Sequence, residues 1–121
     1  MDAQNILSIA ANALNSKKAR QLKALKIDDL TTLADYFVIA TATSSTHVRA
    51  LADEVEEKLK EQSVVPHHIE GKTTGWIVLD YNTVIVHVFT PTEREFYNLD
   101  SMWIDATEID LQTILDEAEG D

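Results

Sequence analysis

Apolar residues recur at helical spacing near the start of the chain. Ile6, Leu7, Ala10, Ala13 and Leu14 share one face, which predicts an amphipathic helix over residues 3–16. Leu22 and Ala24 alternate imperfectly with Lys23 and Lys26, so residues 22–28 read as a short, partly exposed strand. Residues 36–40, Tyr-Phe-Val-Ile-Ala, are β-formers that are apolar on both sides, the pattern of a central strand. A polar stretch follows, in which Ser44 or Ser45 can cap a helix by accepting backbone N–H bonds. Val48, Leu51, Ala52, Val55 and Leu59 then mark one apolar face up to Gln62, while Glu54–Lys58 and Glu56–Lys60 form i,i+4 pairs opposite.

Pro66 opens a short strand over residues 65–70, and residues 71–75 form a loop. Residues 76–81 and 83–90 read as two strands of a hairpin with Asn82 at the turn. Pro91 ends the second strand and suits the first position of a short helix over 92–98, with Thr90 as its cap. Residues 99–104 predict a further helical turn, and Ile109, Leu111, Ile114 and Leu115 give the acidic end a weak apolar stripe able to dock or to fold on a partner. The order is α-β-β-α-β-β-β-α. Strand 36–40, the long helix and strand 65–70 make a β-α-β unit with parallel strands. The fold class is therefore α/β, a mixed sheet with flanking helices.

Composition narrows the functions available. With 121 residues the chain builds one core. It has no cysteine, which removes disulfides, thiol catalysis and thiolate metal sites together. No apolar run spans a bilayer, and the N-terminus lacks a secretory signal pattern, so a cytoplasmic protein with no membrane partner is expected. The net charge of -11 is unevenly spread. Residues 1–26 carry +4, residues 27–104 carry -8, and residues 105–121 carry -7 with no base. Such a balance opposes a general or sequence-specific grip on nucleic acid and suits a basic protein partner. The cluster Lys17, Lys18 and Arg20 has a modest explanation as cations at a helix C-terminus.

Candidate chemistry is sparse. His67 and His68 point to opposite faces of a strand, and no histidine spacing suits chelation, so neither a metal nor another cofactor is expected. His87 lies between Ile85 and Phe89 on one strand face, as a core histidine or, second, a partner contact. There is no nucleophile elbow and no glycine-rich phosphate loop. The strand–loop–helix at 36–46 could offer N–H groups to an anion, as any such unit can. Paired carboxylates such as Asp28-Asp29 are adjacent without converging, so no catalytic residue is assigned. The aromatic residues offer more. Alternation sets Trp76, Val78 and Asp80 against Ile77, Leu79 and Tyr81, and both sides are largely apolar. Helices could cover both sides, or one could remain open to a protein partner.

Several ordered segments resemble the iojap-like ribosomal silencing factors. They are Asp35-Tyr36-Phe37-Val38-Ile39, the Thr-Ser stretch, residues 48–56, Pro66-His67-His68-Ile69-Glu70-Gly71, and Gly75-Trp76-Ile77-Val78-Leu79-Asp80-Tyr81. Val86-His87-Val88-Phe89 and Arg94-Glu95-Phe96-Tyr97-Asn98-Leu99-Asp100, with Trp103 and Asp105-Ala106, complete the match. The resemblance implies a nucleotidyltransferase-like fold without that enzyme's activity. It also implies binding to ribosomal protein number fourteen of the large subunit, which blocks joining of the small subunit and represses translation when nutrients run low. Where the family has Ser-Gly-Thr-Ser before its long helix, this chain has Ala42-Thr43-Ser44-Ser45, which weakens any anion role there.

The resemblance runs over residues 3–106, so the domain is read as 1–106 and residues 107–121 as an acidic tail dispensable for the fold. The expected contact set is Glu70, Trp76, Ile77, Asp80, Tyr81 and His87, with Trp76 as anchor and Glu70 and Asp80 facing bases of the partner. Two alternatives stay open. One is a magnesium-dependent nucleotidyltransferase, which needs two carboxylates alternating on a strand; residues 84–90 have none. The other is a homodimeric structural module.

Overall fold

A computed structural model describes residues 1–71 and 75–115. Helix α1 (Ala3–Ser16) is capped by Asp2, whose carboxylate accepts the Asn5 N–H at 2.8 Å. Strands β1 (Arg20–Lys26) and β2 (Tyr36–Thr41) follow, then helix α2 (Ser45–Glu61). Ser44 provides the α2 cap by accepting from the His47 N–H. Strands β3 (His68–Glu70), β4 (Trp76–Asp80) and β5 (Val84–Phe89) precede helices α3 (Pro91–Tyr97) and α4 (Leu99–Met102). Pro91 begins α3, and Thr90 caps it as its sequence suggests. Strand β6 (Thr107–Glu108) and a 3₁₀ turn (Leu111–Thr113) end the described chain. No described helix is long and apolar enough to cross a membrane.

The six strands form one mixed sheet in the order β3-β4-β5-β2-β1-β6. β2 and β3 run parallel, as their β-α-β unit predicts, but they are not neighbours. The crossover through α2 carries the chain past the neighbours of β2 to the far edge, so β3 pairs with β4, and the adjacent parallel pair is β2 with β5. Burial explains the choice. All six residues of β5 are buried, and such a strand needs partners on both sides. β3 has three residues, with His68 and Glu70 exposed, and suits an edge. Pro66 lacks an N–H, and β3 starts only at His68, short of the expected 65–70. β1 is displaced two residues toward the N-terminus of its expected range, because Arg20 pairs with Thr41 across a bulge and Ile27 turns into the core.

Helices α1 and α2 cover one face of the sheet. Leu7, Ala10 and Leu14 of α1 and Leu51, Val55 and Leu59 of α2 pack onto Val38, Leu79, Val86 and their neighbours. The other face has a smaller cluster of Leu25, Phe37, Ile39, Ile85 and Phe89, over which Leu99 and Trp103 close. Arg94 fastens this cover. It donates to Thr41 Oγ1 at 2.9 Å and to the Gln21 carbonyl at 2.7 Å, and it grips Asp100 through two nitrogens. Arg94, helped by Lys23, holds the Asp100 carboxyl down at about 2.

The chain beyond Ala106 is not all separate tail. β6 pairs with β1, and Ile109, Leu111 and Ile114 pack against the helix-covered core. The Ile114 carbonyl accepts from Asn12 Nδ2 of α1 at 2.9 Å. Two-residue strands leave no periodic signal, so only tertiary pairing reveals β6.

Candidate partner-binding face

The cover of α3, α4 and the Trp103 turn lies over β5, β2 and β1, so the same side of β4 and β3 is left less protected. Register places the side chains in rows across the strands. Glu70, Val78, His87 and Ile39 form one row; His68, Asp80, Ile85 and Phe37 form the next. Trp76 lies opposite Phe89, which lies opposite Thr41. Trp76, Val78 and Asp80 are half-buried, and His68 and Glu70 are exposed. This is an aromatic and acidic face.

Trp76 is its centre. Its indole stacks on Phe89 at 4.9 Å and meets Tyr97 of α3 at 4.5 Å. Its Nε1–H donates to His87 Nδ1 at 3.2 Å. That bond places the imidazole proton on Nε2, which finds no partner among the described residues. Burial pushes His87 down to about 4, so the ring is neutral at physiological pH. The edge of Phe37 packs on it at 4.7 Å. Gly75 precedes the indole where a Cβ would come within 2.9 Å of Thr90 Oγ1, so only glycine lets β4 lie this close to the start of α3.

The acids are partly committed. Asp80 Oδ1 accepts the Asn82 N–H at 2.7 Å and so shapes the hairpin turn, where Asn82 adopts φ 74. Glu70 Oε1 lies 2.7 Å from His68 Nε2. The loop at 41–46 is also occupied. The Thr43 N–H donates to His47 Nδ1 at 2.9 Å, and His47 Nε2–H donates to the Lys17 carbonyl at 2.8 Å. The Thr43 N–H is thus taken up within the loop, and His47 ties the end of α1 to the start of α2. Among the described residues, no three histidine or carboxylate side chains converge as metal ligands would.

Of the six expected contact residues, the structure brings Glu70, Trp76, Asp80 and His87 to this side of the sheet. Ile77 and Tyr81 are corrected. They are 2% and 5% exposed on the opposite face, in the core under the helices. Burial pushes the Tyr81 phenol up, as does the Glu56 charge. His87 is also too buried to be a surface contact, and it supports Trp76 from beneath. Val78, His68 and Tyr97 belong to the face and were missed. For Val78 the signal is its parity with Trp76 within β4; His68 joins the face only through the β3–β4 register, which needs the pairing to be known.

Known proteins share this fold and sequence. A crystal structure of a Chromobacterium violaceum protein superposes with a TM-score of 0.82 at 35% identity, covering 85% of this chain and 87% of that one. A ribosomal silencing factor of Halalkalibacterium halodurans is 35% identical over 116 residues, covering 95% of this chain and 99% of that protein. A mouse relative named mitochondrial assembly of ribosomal large subunit protein 1 is 28% identical over 101 residues, covering 80% of this chain and 44% of that protein. The family described as ribosomal silencing factor during starvation matches residues 1–121. The family model spans the whole chain and the Halalkalibacterium halodurans relative is covered almost end to end, so the chain belongs to the ribosomal silencing factor family.

Proposed function

We propose that this protein binds the large ribosomal subunit through the face centred on Trp76 and blocks joining of the small subunit. Its immediate partner there is ribosomal protein number fourteen, and the outcome is repression of translation under nutrient limitation in the cytoplasm. The observation that carries the reading is the half-open indole of Trp76, flanked by Val78, Asp80 and Glu70 in a chain of this family. An aromatic anchor in a polar rim is the usual anatomy of an interface centre. Glu70 and Asp80 complement a basic ribosomal protein, and charges at such a rim chiefly raise the association rate and make it salt-sensitive.

No catalysis is required. A 13.5 kDa body seated where another subunit must dock is a steric obstacle. A nucleotidyltransferase reading would need two carboxylates alternating on a strand to hold magnesium, and β5, Val-Ile-Val-His-Val-Phe, has none. Co-sedimentation with purified large subunits tests the reading. Wild-type protein should pellet with the subunits, and folded Trp76→Ala should bind about 30-fold more weakly, the loss of about 2 kcal/mol expected for a hot-spot tryptophan. Wild type remaining in the supernatant would overturn the function. Full binding by folded Trp76→Ala would move the site elsewhere.

A further inference from the structure

The one basic stretch of this acidic chain remains outside that account. Lys17, Lys18 and Arg20 lie where α1 ends and β1 begins, and all three are exposed. None has an ion-pair partner among the described residues, whereas Lys23, Lys26, Lys58 and Arg94 each do. The helix dipole favours Lys17 and Lys18 but leaves Arg20, beyond the helix, unexplained. The backbone at Lys18 sharpens the point. The Ala19 N–H bonds the Leu14 carbonyl and the Lys18 N–H bonds the Asn15 carbonyl, the paired bonds of a helix terminus that favours glycine. Lys18 stands at that position with φ 65, in the left-handed region that glycine enters without strain. Capping alone is better served by glycine, so the lysine is there at a cost to the local fold.

Sheet register shows where this corner sits. Trp76 lies opposite Phe89, Phe89 opposite Thr41, and Thr41 opposite Arg20, one row across β4, β5, β2 and β1. Three strand spacings put Arg20 roughly 14 Å from Trp76 along the same rim. A standard interface is about 30 Å across, so a partner centred on Trp76 brings the corner into or beside its footprint. The two ends of the row differ in sign. A basic ribosomal protein suits Glu70 and Asp80 but repels Lys17, Lys18 and Arg20. On a ribosomal surface, the polyanion beside a basic protein is RNA.

We propose that Lys17, Lys18 and Arg20 form a phosphate-contacting corner that grips ribosomal RNA next to the protein partner of the Trp76 face. This inference rests on the ribosomal reading above. It assigns the protein a two-part footprint, aromatic and acidic on protein, cationic on RNA.

The test uses full-length protein and purified large subunits over a potassium chloride series. The triple variant Lys17→Gln, Lys18→Gly, Arg20→Gln should fold as wild type and bind more weakly at low salt. The slope of log affinity against log salt should flatten by about two for three lost phosphate contacts, so between 50 and 200 mM salt the wild-type affinity falls roughly fifteenfold further than the variant's. Lys18→Gly alone should keep or raise the melting temperature while weakening binding, which a purely structural lysine would not do. Ultraviolet cross-linking should place the 17–20 peptide on RNA. Equal affinity and slope for the triple variant, or a cross-link only to an acidic protein, would overturn the inference while leaving the ribosomal reading intact. Failure of wild type to bind subunits at all would remove both.

Discussion

Neighbouring residues of β4 live in different surroundings. Ile77 and Leu79 point under α1 and α2 into an apolar layer, and Leu79 is fully buried. Trp76, Val78 and Asp80 point the other way, where the α3–α4 cover ends and the side chains stay half-open. The helix-covered face is held by close packing of Leu, Val and Ala. The open face is held by directed contacts, an indole on an imidazole and a carboxylate on a turn, and an arginine fork on Asp100 fastens the cover beside it. One face supplies stability. The other presents chemistry, and its polar bonds keep a half-buried aromatic in one orientation.

The largest effect should come from the covered face. Leu79→Ala should lower the unfolding free energy by about 3 kcal/mol, through lost burial and the cavity left behind. Urea unfolding measures it, and binding by the folded fraction should be unchanged. A loss under about 1 kcal/mol would mean that this face is not closely packed.

A smaller effect separates the faces by pH. His87 titrates at about 4 when folded against 6.5 in its ordinary state. The unfolded chain therefore binds the extra proton between these values, so the stability from a neutral His87 is complete above 6.5 and is lost as pH falls toward 4. By pH 4.5 the loss should be roughly 2.5 kcal/mol, and His87→Gln should remove that dependence. Asp100 acts lower. Its carboxyl, held at about 2 against 3.8, contributes above 3.8 and loses that contribution as pH falls toward 2. Urea midpoints between pH 7 and 2 check both windows. A flat wild-type profile down to pH 4.5 would contradict the buried, neutral imidazole.

The third effect concerns the segment 107–115. Truncation after Ala106 should leave a cooperative fold but cost about 1 to 2 kcal/mol, since it removes β6 and three half-buried apolar side chains. An unchanged thermal midpoint would show that the segment adds nothing to the helix-covered core.

Much of this architecture was legible in the sequence, because local rules govern it. The 3.6-residue stripe bounds α1 and α2 closely, and Thr90-Pro91 marks the start of α3. Non-local pairing was not legible. Nothing near residues 65–70 says that β3 crosses to the far edge, and nothing in Thr107-Glu108 says that it joins β1. The site divides in the same way. Alternation separates Trp76 and Asp80 from Ile77 and Tyr81, but with both sides apolar it cannot say which side the helices cover. That depends on the lengths of α1 and α2 against the shorter α3 and α4, a property of the assembled fold. The bond from Trp76 to His87 likewise needs the β4–β5 register.

On the proposed reading, the open face stops the ribosomal subunits from joining. Light scattering of purified large and small subunits, mixed in magnesium with increasing protein, tests it most directly. Wild type should abolish the rise in scattering at saturation, and folded Trp76→Ala should need about 30-fold more protein for the same inhibition. Undiminished joining at saturating wild-type protein would contradict the account.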